Sequence, residues 1–240
     1  MSAPAQEALL AVQDLDTALD QHRHRRGQLP QRQELVALDA ELRELASGIA
    51  AAAERRDVVA ARQSQVEAEL DATQARVAEI SGRLYGGTVS ASRDLQAMAT
   101  EIEHLQARAA TLEDAVLAEM EASEPLDAEV DALEASRAAR VAARTLLAER
   151  LAVAEAEVDA EIAALVERRG AAAVAVAPEL LGTYEQLRGR LDGVGAARLV
   201  GAMCSGCHLA LPATEIDRIK RAAPDEIVLC DQCGRILVRA

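Results

Sequence analysis

The stretch Leu35-Val-Ala-Leu-Asp-Ala-Glu-Leu-Arg-Glu-Leu45 repeats a leucine at alternating intervals of three and four residues. When this heptad is extended to Leu84, twelve of the fifteen a and d positions are apolar. A seam this regular over seven heptads is typical of a coiled coil, in which one apolar stripe faces a second helix. The stretch therefore predicts a long first arm that is paired along its length.

A second heptad series runs from Leu95 to Leu165, and we expect it to be the partner of the first. The series falters at Arg137, Arg140 and Arg144 and then resumes in the same phase. These arginines either form a binding stripe or are matched by acidic residues across the seam. We favour the second interpretation.

Three glycines, Gly82, Gly86 and Gly87, lie between the two series. Glycine can end a helix and reverse the chain direction, because it adopts backbone conformations that other residues avoid. The two series therefore form a hairpin rather than one continuous rod. We predict a mainly α fold, with an antiparallel, intramolecular helical hairpin over residues 1–170 and its turn near residues 81–91.

Folding the chain about residue 86 would place residue i opposite residue 172 − i. Pro125, which should kink the second arm, then faces Ser47-Gly48, and we expect a hinge there. The arginine gap near residue 140 then faces Gly27–Pro30, so we expect an interrupted seam at that level. The same segment separates an N-terminal helix from the first arm, and we expect that helix to pack against the far end of the second arm.

The last third of the chain reads as a connection followed by a small module. In residues 171–197, Pro178 opens a short helix, and the glycines after it predict a flexible linker. Residues 198–240 read as an α+β module. Its expected elements are strands at 198–203, 226–229 and 235–238 and a helix at 212–221. Such a module has little core of its own, so metal binding should couple to its folding.

The only four cysteines of the chain lie in that module as two CxxC pairs, Cys204-Ser-Gly-Cys207 and Cys230-Asp-Gln-Cys233, separated by 22 residues. This is the spacing of a four-thiolate zinc ribbon, in which each tight turn supplies two sulfur ligands. Four protein ligands leave no open position for water or substrate. We therefore predict one structural Zn²⁺ bound by Cys204, Cys207, Cys230 and Cys233.

Two alternatives remain for the cysteines. Two disulfides would need an oxidising compartment, but the first eight residues do not read as a signal peptide. A redox or iron centre is the other alternative, although no βαβ unit surrounds either pair. His208 follows Cys207 directly, and we interpret it as a bystander because four thiolates already complete the shell. Gly206 and Gly234 are expected to supply positive φ angles at the two turns.

Composition limits what else the chain can be. It has no Phe, no Trp and two Tyr among 240 residues, and its net charge is −14. No apolar run approaches the length of a membrane span, so we expect a cytoplasmic protein without a membrane partner. We find no nucleophile–base pair, no P-loop and no dinucleotide-binding loop, and therefore predict that the protein is not an enzyme.

Two functional classes fit these features. One is a scaffold or adaptor that binds protein partners, and the other is an RNA- or DNA-binding regulator that acts through the ribbon. From residue 196 onward, six basic side chains oppose five acidic ones, and the ribbon has no aromatic platform for bases. We favour the adaptor and leave the association of hairpins open. Candidate contacts with a partner or nucleic acid are Tyr85, Gly86, Gly87, Arg218, Lys220, Arg221, Arg235 and Arg239.

Three segments, Tyr85–Met98, Cys204–Pro212 and Ile227–Leu237, resemble the bacterial coiled-coil proteins that carry a C-terminal four-cysteine zinc ribbon. The actinobacterial branch is the most similar, and the resemblance covers nearly the whole chain. It implies zinc on the four cysteines. Family members include a flagellar-biogenesis chaperone that binds an alternative sigma factor, export components and a flagellin messenger RNA. The resemblance therefore implies partners of those kinds.

Overall fold

A computed structural model describes residues 3–87, 89–223 and 226–239, with side chains described from Glu7 onward. Thr88 of the predicted tip and residues 224, 225 and 240 of the predicted ribbon lie outside the described residues, as do residues 1 and 2. The elements in chain order are α1 (Ala3–Gly27), α2 (Pro30–Tyr85), α3 (Ser92–Val174), α4 (Pro178–Arg190), β1 (Ala196–Val200), β2 (Met203–Cys204), α5 (Ala213–Arg221) and β3 (Ile236–Val238). The predicted fold class, a helical hairpin with a small α+β module, is confirmed.

The heptad seam is confirmed along α2. All fifteen predicted a and d positions from Leu35 to Leu84 are buried or half-buried, and Ala52 and Ile80 are the most enclosed. The prediction that glycine ends α2 is confirmed. A Cβ on Gly86 would lie 2.6 Å from the carbonyl oxygen of Gly82, which is too close for a residue with a side chain. Within the described part of the chain, no helix is apolar over enough residues to cross a membrane.

The predicted pairing of the arms is wrong. Leu133 lies beside Gly48, with Cδ1 3.8 Å from the point that a Cβ on residue 48 would occupy. Arg55 donates to Glu129 at 2.7 Å. The paired residue numbers therefore add up to 181 and 184 rather than 172, because the turn is centred beyond residue 86. Pro125 does not face Gly48, and the helices α2 and α3 continue through these residues, so the basis for a hinge is removed.

Two of the three arginines in the gap on α3 face acidic residues, as expected, although at a different level. Arg140 lies 3.2 Å from Glu41, and Arg144 lies 2.5 Å from Asp39. The prediction that this gap lies opposite Gly27–Pro30 is wrong for the same reason as the pairing rule. The seam is nevertheless interrupted here, since every residue from 134 to 146 is exposed.

The chain forms two compact units, which we call the base unit (Met1–Gln33 and Leu147–Ala240) and the arm unit (Glu34–Leu146). The division follows the contacts between residues, and the boundary falls within α3, near Leu147. The domain boundaries predicted from composition, after residues 170 and 197, follow a different criterion and stay a prediction.

The core of the base unit joins α1 to the end of α3, to α4 and to the sheet. Its buried members are Leu9, Leu10, Val12, Val176, Leu180, Tyr184, Ala196, Ile236 and Val238. The N-terminal helix therefore packs near the end of α3, as predicted, and also covers one face of the ribbon. This second role was not predicted.

The ribbon is a three-stranded sheet of order β2-β1-β3, in which β1 is antiparallel to β2 and parallel to β3. The first predicted strand is divided at Gly201, whose φ of +62° reverses the chain between β1 and β2. The predicted strand 226–229 contributes a single bridge, between Leu229 and Ile236. Helix α5 covers the face opposite α1 through Ile216 and Ile219, which pack with the buried cysteines.

Candidate metal centre

The four cysteine sulfurs meet between the two turns of the ribbon. All four Sγ atoms lie within 4.8 Å of one another. Cys204 and Cys233 are 3.9 Å apart, and Cys207 and Cys230 are 4.0 Å apart. A tetrahedral zinc ion with Zn–S bonds of about 2.3 Å requires sulfur–sulfur distances of about 3.8 Å. The thiols therefore have the spacing of a Zn²⁺ shell.

These distances also bear on the alternatives. A disulfide joins its sulfurs at about 2.05 Å, roughly half the separation found here, and all four cysteines are free. Cys204 and Cys230 are buried, whereas Cys207 and Cys233 are half-buried. A closed, largely dry shell of four thiolates is typical of a structural zinc site, since no position is left for a reacting molecule.

The two turns repeat the same backbone hydrogen bonds. In the first, the N–H of Cys204 donates to Leu209 and the N–H of His208 donates back to Cys204, at 3.1 and 2.8 Å. In the second, Cys230 donates to Arg235 and Gly234 donates back to Cys230, at 2.8 and 2.7 Å. Each CxxC pair is thus fixed by its own backbone before any ligand is considered.

This equivalence explains the residues beside the cysteines. Gly234 has a φ of +73°, as predicted, and His208 occupies the matching place in the first turn with a φ of +58°. The prediction of positive φ at Gly206 is wrong. Gly206 is required for space, because a Cβ there would lie 2.7 Å from Cδ of Arg235 and 2.9 Å from Cβ of Ala197.

The protonation of the thiols follows from burial and hydrogen bonding. Burial raises the pKa of Cys204, and it raises the pKa of Cys230 to about 12 despite N–H groups of the same turn that point at the sulfur. Burial also acts to raise the pKa of Cys233, but hydrogen bonding to Arg235 and to the thiols of Cys230 and Cys207 outweighs it and lowers the pKa to about 7. Metal binding must displace protons from the buried thiols, so zinc affinity falls as the pH falls.

Comparison with known proteins now decides the family. Residues 12–192 match the CT398-like coiled coil hairpin domain, and residues 203–237 match the C4-type zinc ribbon domain. The chain belongs to the CT398-like coiled-coil hairpin family. The resemblance inferred from the sequence is therefore confirmed, and the donor set holds one structural zinc ion.

Relatives of the CT398-like chain span its whole length. A Mycobacterium tuberculosis protein, Rv2229c of strain H37Rv, is 35% identical over 238 residues, which cover 98% of this chain and 95% of the relative. A solved structure from Mycobacterium smegmatis is 28% identical, has a TM-score of 0.87 and covers 100% of this chain and 99% of its own. CT398 from Chlamydia trachomatis is 18% identical with a TM-score of 0.72, over 98% of both chains, and supports the fold alone.

The connection that was predicted to be flexible is fixed to α1 in this CT398-like base. The Gln13 side chain is 5% exposed; it accepts hydrogen bonds from the N–H groups of Gly195 and Ala196 at 2.7 and 3.2 Å and donates to the carbonyl of Gly193 at 3.1 Å. Gly195 passes so close to α4 that a Cβ would lie 2.8 Å from the Tyr184 carbonyl oxygen. Glycine is therefore needed at residue 195 for close packing against α4, and it does not indicate a flexible segment.

A second polar contact fixes α1 to α3 and α4. The carboxylate of Asp16 is 5% exposed; it accepts a hydrogen bond from the Tyr184 hydroxyl at 2.8 Å and faces the guanidinium of Arg169 at 3.3 Å and that of Arg188 at 3.7 Å. Burial and the Asp16 carboxylate both raise the pKa of Tyr184 far above its ordinary value. The phenol therefore stays a donor.

The five basic residues predicted as ribbon contacts fall into three groups. Arg235 donates to Val194 at 3.0 Å, and Arg239 donates to four backbone carbonyls between residues 219 and 226, which closes the C-terminal end of α5. Arg218 pairs with Asp231 at 3.1 Å. Lys220 and Arg221 are exposed at the end of α5.

The predicted tip contacts lie together at the end of the arm unit. The side chain of Tyr85 is 83% exposed, and Gly86 and Gly87 are exposed beside it. Gly87 has a φ of +70°, which favours glycine at this position. The tip therefore presents an aromatic ring to the solvent on a short, sharply turned support.

Sequence reasoning missed Gln13, Asp16 and the internal role of Arg235. A signal for the first two was present, because they interrupt an otherwise apolar face of α1 between Leu9 and Leu19. A polar residue on such a face is usually hydrogen-bonded when buried. For Arg235 the pattern contained no comparable signal, since its partners lie on a distant part of the chain.

Proposed function

We propose that the protein is a non-enzymatic zinc-ribbon/coiled-coil scaffold or adaptor that binds a protein partner through the tip of its hairpin. The observation that carries this proposal is the tip itself, where Tyr85 is 83% exposed. Folded proteins rarely leave a large aromatic side chain this exposed when partly buried positions between paired helices could hold it. Tyrosine is also among the residues that most often anchor protein interfaces, because it offers a large rigid surface and a polar end.

The arms support this role through their construction. Helices α2 and α3 are 56 and 83 residues long, and in the arm unit their mutual seam uses the apolar positions of both. Cross-arm pairs such as Arg108 with Glu69, at 3.1 Å, add further contacts between them. A paired hairpin of this kind holds its tip in a defined geometry, which suits presentation to a partner.

The metal centre supports the non-enzymatic part of the proposal. Its four thiolates complete the coordination shell, so the ion organises the ribbon and leaves no position for a substrate. Within residues 3–87, 89–223 and 226–239, these cysteines form the one grouping of three or more metal-binding side chains. The ribbon is then a structural module of the base.

The observations favour protein over nucleic acid as the partner. Arg235 and Arg239 donate to backbone carbonyls, and Arg218 pairs with Asp231. Arg218 is itself exposed, so three cations of the predicted strip, Arg218, Lys220 and Arg221, face the solvent, and Arg218 is paired with an acid. Nucleic-acid binding draws most of its affinity from several phosphate contacts, so three cations, one of them paired with an acid, are a weak basis for it on a chain of net charge −14.

A photo-crosslinking residue in place of Tyr85 tests the proposal in the native host. We expect specific protein adducts, identified by mass spectrometry, that disappear when an excess of the unmodified protein competes. The matched control carries the same crosslinker in place of Val36, which is 68% exposed on α2. RNA recovered with each sample is sequenced in parallel. Adducts that are the same at both positions, or specific RNA that depends on Lys220 and Arg221 without any protein adduct, would reject the adaptor.

A further inference from the structure

Arg235 occupies the space between the metal centre and the connection to α4. Its Nε donates to the carbonyl of Val194 at 3.0 Å, and its Nη2 reaches the carbonyl of Leu191 at 3.5 Å. Its backbone carbonyl accepts a hydrogen bond from the N–H of Cys230, a ligand of the second turn, at 2.8 Å. The aliphatic part of the side chain lies against Gly206 of the first turn. One half-buried residue thus contacts both metal-binding turns and the connection.

We propose that Arg235 belongs to the zinc centre as a positioning residue, which contacts both metal-binding turns and fastens the loaded ribbon to the N-terminal helix. The established features of the centre are its four cysteines. The arginine adds an outer layer to that centre and gives it a mechanical connection to the rest of the base unit.

Charge explains why a cation is suited to this place. Four thiolates and one Zn²⁺ carry a formal charge of −2, in surroundings where Cys204 and Cys230 are buried. A positive charge next to the centre offsets part of that charge. The planar guanidinium also reaches two carbonyls together, through Nε and Nη2, and a lysine ammonium cannot reproduce that geometry.

The connection continues from Arg235 to α1. Val194, which accepts from Arg235, is next to Gly195, whose N–H donates to Gln13 on α1 at 2.7 Å. Gly206 contributes from the opposite side, because it leaves the space in which the arginine lies. A ribbon that closes around zinc therefore fixes Arg235, and a fixed Arg235 holds the segment that α1 grips. Loss of the metal should loosen that segment as well as the ribbon.

Zinc affinity gives the first test, measured by competition with a chromophoric chelator on the full chain. We expect R235M to weaken zinc binding by about 10- to 100-fold, the usual effect of removing an outer-layer partner of a metal ligand. R235K keeps the charge and should lose less. The control is R221M, since Arg221 is an exposed arginine of the same ribbon. Affinities of R235M and R235K within about twofold of wild type would overturn the proposal.

Hydrogen exchange gives a second measurement, because a change in net charge alone would not alter the exchange rates of these amides. In zinc-loaded R235K, amides of residues 191–196 and of α1 around Gln13 should exchange faster, while cobalt substitution still gives a tetrahedral thiolate spectrum. G206A, which pushes Arg235 aside without deleting it, should do the same. Should R235M fail to fold, zinc-loaded and chelated wild type provide the comparison. Unchanged exchange of residues 191–196 upon chelation, or in R235K, would overturn the connection to α1.

Discussion

The base unit and the arm unit use different means to hold their helices together. In the base, Asp16 is 5% exposed and binds Tyr184 and Arg169, and four cysteines converge between two turns. In the arm, the ion pair of Arg55 with Glu129 joins side chains that are 55% and 42% exposed. The base therefore depends on a few buried polar contacts, whereas the arm repeats many weak ones.

This difference predicts a difference in response to substitution. A buried polar group that loses its partner costs free energy, because water cannot replace the partner. An exposed ion pair contributes little, since solvent screens it in both the folded and the unfolded state. A single substitution of a buried polar residue should thus destabilise the base strongly, whereas a single substitution in an exposed ion pair should hardly change the stability of the arm.

The largest effect is expected for C204S. It removes a ligand from a site whose zinc-binding free energy in small modules is of order 10 kcal/mol. We expect zinc, measured by elemental analysis of reduced protein, to fall well below one ion per chain, and amides of the ribbon to lose protection from exchange. Far-UV helicity should persist, because α5, with nine residues, is a small part of the helical content.

H208N is the matched control for C204S. His208 follows a ligand and has a φ of +58°, a conformation that asparagine tolerates. It should keep one zinc ion per chain. If H208N loses zinc while C204S retains it, the ligand set is wrong.

The next largest effect is expected for D16N in the base. The substitution keeps the shape of the side chain but removes the charge that faces Arg169 and Arg188, both about one quarter exposed. We expect a loss of about 2–4 kcal/mol in the free energy of unfolding of the base. Tyrosine fluorescence in a Y85F background reports on Tyr184 alone, since the chain has two tyrosines and no tryptophan.

The comparison is sharpened by D39N in the arm, which removes the acid that pairs with Arg144. The base transition seen by Tyr184 should remain where it is in the Y85F parent. Equal shifts in D16N and D39N would show that the two units do not differ in the way proposed.

A smaller effect concerns pH and the phenol of Tyr184. Burial and Asp16 raise its pKa above the ordinary value of about 10. Because the folded state then holds the proton more tightly than the unfolded state, the stabilisation is complete below pH of about 10 and is lost as the pH rises further. Unfolding of zinc-loaded protein at pH 8 and 10.5 should show this loss, and Y184F should remove the part of the pH dependence that comes from the phenol. Y184F alone should cost about 1–3 kcal/mol.

Local patterns predicted the parts of the structure that local chemistry determines. The heptad seam from Leu35 to Leu84 follows from the spacing of apolar residues, and the metal centre follows from two CxxC turns. Each pattern carries its own geometry, so the sequence was enough. The positive φ of Gly234 belongs to the same group, because the backbone of its turn requires it.

Features that depend on how distant segments meet were predicted less well. The pairing of the arms depends on where the turn is centred, and three closely spaced glycines leave that centre undefined. The positions of Gln13 and Arg235 depend on α1 packing against the ribbon, across some 180 residues of chain. Their hydrogen bonds could not be read from spacing, although a polar residue on the apolar face of α1 was a visible sign.

The smallest effect is expected for R55A, which removes the exposed pair with Glu129 from the arm. The unfolding free energy should change by less than about 1 kcal/mol, since both side chains remain solvated when apart. The matched change in the base is R169A, which leaves the Asp16 carboxylate 5% exposed with fewer partners and should cost more. Urea unfolding followed by circular dichroism for R55A, and by Tyr184 fluorescence for R169A, measures the two. An R55A effect as large as that of R169A would mean that the arm, too, depends on single polar contacts, and the contrast between the two units would be lost.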